Sequence, residues 1–193
     1  MSIIEDKLSE LELTQKQFWN IDKYCANFLN MLIKTAKYKN ILEVGTSNGY
    51  SGIWLALAAK AVGGKVITIE FHKCRYDVAV ENFKLCELDD YIEPRQGMAI
   101  DEIIDLKKED YNSQDEKFLD FAFVDANKAQ YIKYFELIDK KLRKGGMIAF
   151  DNMLSHKEKV QDTLEALQNN PNYQIEMMNF EAGLLLALKI GED

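Results

Sequence analysis

The sequence predicts an α/β fold in which a seven-stranded, mostly parallel sheet ends in an antiparallel strand and carries helices on both faces. From residue 41 onward, five short β-rich runs alternate with longer segments of helical pattern. This alternation is typical of a parallel sheet covered by helices. After the fifth run, two more β-rich runs are separated by only three residues. A connection that short is too short for a parallel crossover and predicts a hairpin.

Each predicted strand is a short run rich in β-branched and aromatic residues. In chain order the predicted strands are Ile41–Val44, Lys65–Glu70, Tyr91–Arg95, Phe118–Asp125, Met147–Asp151, Tyr173–Phe180 and Leu184–Ile190. The segments between them carry apolar residues three or four positions apart, as at Ile53, Leu57 and Ala61, and this spacing predicts helices. Before the first strand, Ser9–Lys37 has an amphipathic pattern that predicts one or two further helices.

Length, composition and charge limit the class of protein. The chain has 193 residues, of which 47% are hydrophobic, and a domain commonly has roughly 100–200 residues. We therefore expect one domain over residues 1–193, with N-terminal helices in 1–37 and the α/β core in 38–193. The net charge of −8, from 24 basic and 32 acidic residues, disfavours nucleic acid as a partner.

The cysteines and the terminal segment predict a location. Cys25, Cys74 and Cys86 share no close spacing, which indicates reduced thiols rather than a disulfide framework or a zinc site. The N-terminus lacks the basic region and apolar core of a signal peptide. No run approaches the ~20 apolar residues of a membrane span. We therefore expect a cytoplasmic protein with no membrane partner.

A glycine-containing loop, GTSNG at residues 45–49, follows the first predicted strand and precedes a helix. Gly45 and Gly49 allow a tight turn close to a ligand, and free N–H groups at the helix start favour an anionic group. The dinucleotide fingerprint requires glycine at positions 1, 3 and 6, and here Ser47 and Tyr50 occupy the last two. The loop therefore argues against NAD, and a plain strand-to-helix turn remains an alternative.

Acidic residues stand at or near the ends of four predicted strands. Glu70 ends the second strand, where a carboxylate can accept hydrogen bonds from both ribose hydroxyls of a nucleoside. Glu43 lies near the end of the first strand, and Asp125 and Asp151 close the fourth and fifth. Ligands of open α/β sheets bind outside the carboxyl ends of the strands. We therefore expect these four side chains to point towards one crevice.

Three of the side chains at these strand ends suit a metal ion. Asp125, Asp151 and Asn152 offer only oxygen ligands, which favours Mg²⁺ or a similar cation over zinc. The alternative is that Asp151 and Asn152 only begin a turn and cap the next helix. Lys128 lies one helical turn beyond Asp125 and could serve as general base in a desolvated site, the alternative being an ordinary surface lysine.

Three sequence motifs together resemble the cation-dependent O-methyltransferases, a family that includes the caffeoyl-CoA and catechol O-methyltransferases. The motifs are EVGTSNGYS at 43–51, FVDANK at 123–128 and GGMIAFDN at 145–152. The resemblance covers about residues 28–190 and has the order and spacing of the family. It implies a class I S-adenosylmethionine-dependent methyltransferase fold, which is Rossmann-like and has an antiparallel last strand.

The resemblance also implies which residues bind S-adenosylmethionine. Its methionine part would contact Glu43, Gly45, Thr46 and Ser51. Glu70 would bind the ribose, and Ala99 would lie beside the adenine. Asp125 and Asn127 complete the predicted set. Asn127 replaces an aspartate of the plant relatives, which keeps the hydrogen bonding but removes a charge.

By the same resemblance, Asp125, Asp151 and Asn152 would bind the divalent cation, Lys128 would be the catalytic residue, and Asp125 and His156 would contact the acceptor. The predicted function is methylation of a hydroxyl on a small, catechol-like acceptor, since two neighbouring hydroxyls can chelate the metal. The alternatives are a tRNA hydroxyuridine O-methyltransferase, an NAD-dependent oxidoreductase and a non-catalytic S-adenosylmethionine-binding module. The amphipathic N-terminal helices also suggest a homodimer.

Overall fold

The computed structural model describes residues 3–191. The chain divides into two compact units, residues 1–98 and 99–193. The single domain predicted over residues 1–193 stays a prediction, and its residues 1, 2, 192 and 193 lie outside the described part of the chain. Among residues 3–191, no helix combines the length and the apolar character needed to cross a bilayer.

The first unit contains three parallel strands with helices before and between them. Its elements are α1 (Ile3–Leu13), α2 (Gln15–Phe18), α3 (Lys23–Ala36), β1 (Asn40–Val44), α4 (Tyr50–Val62), β2 (Lys65–Glu70), α5 (Lys73–Leu85) and β3 (Ile92–Gln96). Strand β2 lies between the other two and pairs in parallel with both. The alternation of strand and helix in the sequence predicts this arrangement, and the structure confirms it.

The N-terminal segment forms three helices where the sequence predicted one or two. Helix α2 ends at Trp19, whose φ of 57° is left-handed, and the chain then turns before α3. The carboxylate of Asp22 caps α3 by accepting a hydrogen bond from the N–H of Cys25 over 2.9 Å. Such a cap satisfies an N–H group that has no partner within the helix. The sequence pattern, which allowed at most two helices over Ser9–Lys37, therefore did not show the short helix α2.

The second unit contains the remaining four strands. Its elements are α6 (Ala99–Asp105), a 3₁₀ turn (Lys108–Tyr111), β4 (Leu119–Val124), a second 3₁₀ turn (Lys128–Gln130), α7 (Tyr131–Asp139), β5 (Leu142–Phe150), α8 (Lys157–Gln168), β6 (Tyr173–Met178) and β7 (Leu184–Lys189). Strand β4 pairs in parallel with β5, whereas β7 runs antiparallel to both β5 and β6. The predicted C-terminal hairpin is confirmed.

Together the two units contain, within residues 3–191, the seven strands that the sequence predicts. All six residues of β4 are buried, as expected for a strand of a parallel sheet that is covered on both faces. Strand β5 begins at Leu142 rather than at the predicted Met147. The predicted run began after Gly145 and Gly146, but the strand continues through them, with a register shift against β4.

Candidate functional site

The glycine loop adopts a backbone that a residue with a side chain rarely adopts. Gly45 and Gly49 have φ values of 105° and 87°, where an L-residue with a Cβ is strained. A Cβ on Gly49 would also lie 2.8 Å from the ring of Phe83 on α5. Both glycines are therefore required for the sharp turn from β1 into α4.

Glu70 holds this loop from the end of β2. Its side chain is buried, and its two carboxylate oxygens accept hydrogen bonds from the backbone N–H of Ser47 over 2.9 Å and of His72 over 2.8 Å. Glu70 therefore contacts the glycine loop directly, whereas the predicted convergence of the four acidic side chains on one crevice stays a prediction. A carboxylate has about four acceptor positions, so Glu70 can accept further hydrogen bonds from a bound hydroxyl.

Glu43 lies in a network of hydroxyl groups. Its carboxylate is fully buried and accepts hydrogen bonds from Ser51 Oγ and Thr68 Oγ1, each over 2.5 Å. The Thr68 hydroxyl also lies 2.5 Å from that of Thr46. The network thus joins the predicted cofactor residues Glu43, Thr46 and Ser51. The direct contact predicted between Glu43 and a ligand stays a prediction. In the structure the Glu43 carboxylate accepts hydrogen bonds from side chains on α4 and β2 instead.

Residues 12–19 also contact the glycine loop. The Ser47 hydroxyl donates to the carbonyl of Phe18 over 2.9 Å, and the Tyr50 hydroxyl donates to the carboxylate of Glu12 over 3.1 Å. The guanidinium of Arg75 lies 4.8 Å from the centre of the exposed Trp19 ring. Sequence reasoning assigned no role to this segment, since nothing in its pattern shows that it returns to the loop.

In the second unit, Asp125 and Lys128 form a close ion pair just beyond β4. Lys128 Nζ lies 2.8 Å from Asp125 Oδ1, and the two side chains are only 18% and 17% exposed. The sequence predicted that one turn would bring these groups together, and the distance confirms it. Lys128 is therefore held by Asp125 rather than extended into solvent, and its catalytic role stays a prediction.

Tyr131 links the ends of β4 and β5. Its buried hydroxyl donates to the backbone carbonyls of Val124 over 3.1 Å and of Asp151 over 3.2 Å. Burial, and then the charges of Asp125 and Asp151, raise the pKa of Tyr131 well above its usual value. The phenol therefore stays a neutral donor that ties the ends of β4 and β5 together. Sequence reasoning assigned Tyr131 no role in the site.

Asp125 follows the end of β4, and Asp151 and Asn152 follow the end of β5, so these residues offer only oxygen ligands. Asp151 is buried, and Asn152 has a left-handed φ of 63°, which asparagine tolerates better than most residues. Within residues 3–191, no three His, Cys, Asp or Glu side chains group closely enough to hold a metal. A cation here would therefore depend on the amide oxygen of Asn152 and on water or acceptor oxygens, which suits Mg²⁺.

Three comparisons with known proteins identify the family. A family model described as O-methyltransferase matches residues 4–190. This chain belongs to the O-methyltransferase family. It is 34% identical over 146 residues to caffeoyl-CoA O-methyltransferase of Medicago sativa, covering 74% of this chain and 58% of that protein. It is 35% identical over 155 residues to caffeoyl-CoA O-methyltransferase 2 of Zea mays, covering 77% of this chain and 56% of that protein.

A solved structure of the O-methyltransferase from Bacillus cereus, in complex with SAH, is 28% identical and superposes with a TM-score of 0.80. The superposed region covers 98% of this chain and 91% of the Bacillus cereus chain. The predicted methyltransferase fold is therefore confirmed. The chain spans 58% of the length of the Medicago sativa enzyme and 56% of the length of the Zea mays enzyme.

The remaining predicted site residues of this O-methyltransferase family member lie in the second unit. Ala99 begins α6. Asn127 caps the 3₁₀ turn, its side chain accepting from the N–H of Ala129 over 3.3 Å. His156 precedes α8, and its Nδ1 lies 3.0 Å from Ser155 Oγ. Partial burial, and then the positive charges of Lys128 and Lys159, lower the pKa of His156. The negative charge of Asp125 raises this pKa, but by less. The ligand contacts predicted for these residues stay predictions.

Proposed function

We propose that this protein transfers the methyl group of S-adenosylmethionine to a hydroxyl of a small, catechol-like acceptor, with the help of a divalent cation. The observation that carries the proposal is the Lys128–Asp125 pair, which lies just beyond the end of β4. Strand β5, which Asp151 follows, pairs with β4 up to the residues before these two acids, Val124 and Phe150. A lysine amine and carboxylate ligands thus follow two paired strand ends. Membership of the O-methyltransferase family supports the same reaction.

The donor would bind to the glycine loop and Glu70. The carboxylate of Glu70 already accepts two backbone N–H groups, and its remaining acceptor positions suit the ribose hydroxyls of a nucleoside. The hydroxyl network of Glu43 holds the glycine loop in place. Donor binding would therefore cost little conformational entropy in the loop. The SAH in the Bacillus cereus relative supports this assignment.

The acceptor would bind beside Asp125, Asp151 and Asn152. A divalent cation held by these residues would orient two neighbouring acceptor hydroxyls and lower the pKa of one of them. Asp125 holds the Lys128 amine in place over 2.8 Å. When a cation neutralises the Asp125 carboxylate, Lys128 would lose its own proton to solvent, and the neutral amine would then take the proton from the acceptor hydroxyl. His156, whose pKa is lowered, would present a neutral imidazole to the acceptor.

Two further parts of the proposal concern assembly and location. Tyr24 and Met31 are exposed on α3. They are seven residues apart, which places them on the same face of the helix, and this apolar face would support a homodimer. Within residues 3–191, Cys25, Cys74 and Cys86 form no disulfide bond, and reduced thiols would suit the cytoplasm. Nucleic acid remains disfavoured by the net charge of −8.

We expect isotope-labelled S-adenosylmethionine to transfer its methyl group to catechols but not to bulk tRNA. The matched control acceptors are phenols with one hydroxyl, which cannot chelate a cation through two neighbouring oxygens. Product masses from the acceptor panel give the readout. Methylation of tRNA alone would contradict the small-molecule proposal. Equal yields of methylated product from a phenol with one hydroxyl and from a catechol would contradict chelation by two neighbouring hydroxyls.

Replacing Glu70 with alanine should weaken binding of S-adenosylmethionine. The lost charge-assisted hydrogen bonds are worth about 1.5–3 kcal/mol, which corresponds to about a 10- to 150-fold higher Kd. Calorimetric titration measures the affinity. Glu81→Ala, which removes an exposed carboxylate on α5, should bind the donor as the wild type does. Unchanged affinity in a folded Glu70→Ala protein would show that the donor does not bind at Glu70.

A further inference from the structure

The hairpin turn between β6 and β7 holds the backbone segment that follows β5. The N–H of Met153 donates to the carbonyl of Gly183 over 3.0 Å. The N–H groups of Leu154 and Ser155 both donate to the carbonyl of Ala182, over 2.9 and 3.1 Å. Three consecutive N–H groups thus bind two adjacent carbonyls of the turn. The path of residues 153–155 is therefore set by the hairpin.

The residue immediately before this segment is Asn152, which has a left-handed backbone. Its φ is 63°, and its carbonyl accepts hydrogen bonds from the N–H of His156 over 3.0 Å and from Ser155 Oγ over 3.4 Å. Asparagine tolerates this conformation better than most residues, and the two hydrogen bonds to its carbonyl tie it to the segment that follows. The orientation of Asn152 therefore depends on how firmly residues 153–155 are held.

Gly183 permits the close approach of the turn to this segment. Its φ is 80°, and a Cβ at this position would overlap Leu154 Cγ and lie 2.7 Å from both Cβ and the backbone N of Leu154. A contact of that kind with backbone is relieved only if the turn or the segment moves. Any side chain at residue 183 would therefore disturb the two carbonyls that fix residues 153–155.

We propose that Gly183 is a positioning residue for the cation site, because it lets the β6–β7 turn hold Asn152, and with it Asp151, in the orientation that ligates the cation. The inference rests on the proposed function, since it requires Asp151 and Asn152 to be ligands. It also gives the antiparallel hairpin a role in the site: its turn supplies the carbonyls that order the ligand segment.

The test compares Gly183→Ala with Gly63→Ala. Gly63 also has a positive φ, of 68°, but a Cβ there would meet nothing within 4 Å. Both variants bear the strain of a left-handed alanine, whereas only Gly183→Ala displaces the ligand segment. Titration with Mn²⁺, followed by the electron paramagnetic resonance signal of the free ion, gives the affinity. Calorimetry with SAH gives the donor affinity of each variant.

We expect Gly183→Ala to bind Mn²⁺ about 10- to 100-fold more weakly than the wild type, the usual effect of disturbing groups that orient metal ligands. Its SAH affinity should stay unchanged, and Gly63→Ala should match the wild type for both ligands. Wild-type Mn²⁺ affinity in folded Gly183→Ala overturns this inference. Absence of Mn²⁺ binding by the wild type instead overturns the proposed metal dependence.

Should Gly183→Ala fail to fold, the double variant with Leu154→Ala takes its place. The overlapping Cγ is then absent, but the contacts with Cβ and the backbone N of residue 154 remain. The double variant should therefore still bind Mn²⁺ more weakly than Leu154→Ala alone. Equal affinity of these two proteins overturns the positioning role.

Discussion

Replacing Asp151 with alanine is expected to abolish methylation of a catechol while leaving S-adenosylmethionine binding nearly intact. Asp151 is a proposed cation ligand and is not among the proposed donor contacts. A bound cation contributes several kcal/mol to such a reaction, so turnover should fall by about 10³-fold or more. Initial rates with a catechol and calorimetry with the donor measure the two effects separately.

Chelation should have the same effect on the wild type. Dialysis against a chelator should abolish catechol methylation, and Mg²⁺ or Mn²⁺ should restore it, whereas neither ion should restore Asp151→Ala. Asp115→Ala, which removes an exposed carboxylate of the same unit, is the matched control and should keep full activity. Full activity of the chelated wild type would mean that Asp151 and Asn152 only form a turn.

Lys128→Ala should retain donor binding and lose about 10²- to 10⁴-fold in turnover, the usual range for general acid–base catalysis. Lys128→Arg should lose a similar factor, because arginine keeps the positive charge but does not release its proton. Steady-state rates with a catechol, measured with saturating donor and Mg²⁺, give the effect. The pair of variants separates proton transfer from simple charge.

A second lysine of the same unit provides the control for Lys128. Lys133 also pairs with a carboxylate three residues away, Glu136 at 2.9 Å, but its side chain is 53% exposed. Lys133→Ala should therefore leave turnover unchanged. A fall of less than about tenfold in Lys128→Ala lies below the range for an acid–base residue and would leave Lys128 with a structural role only. Full activity of Lys128→Arg would indicate that charge alone matters.

The sequence alone determined the order of strands and helices and the C-terminal hairpin. Both follow from local information: apolar periodicity sets each element, and a connection of three residues allows only an antiparallel neighbour. The pairing of the glycine loop with Glu70 and of Lys128 with Asp125 could be predicted for a related reason. Each pair lies at adjacent strand ends or one helical turn apart, so chain connectivity brings the groups together.

Only the tertiary structure decided which ordinary residues support the site. Thr68 joins Glu43 to Thr46, Tyr131 ties the ends of β4 and β5, and the turn at Gly183 holds the segment after Asn152. A strand threonine, a core tyrosine and a hairpin glycine have the same local pattern wherever they occur. Their roles come from partners that lie far away along the chain. Only the packing of the folded chain brings such partners within hydrogen-bonding distance.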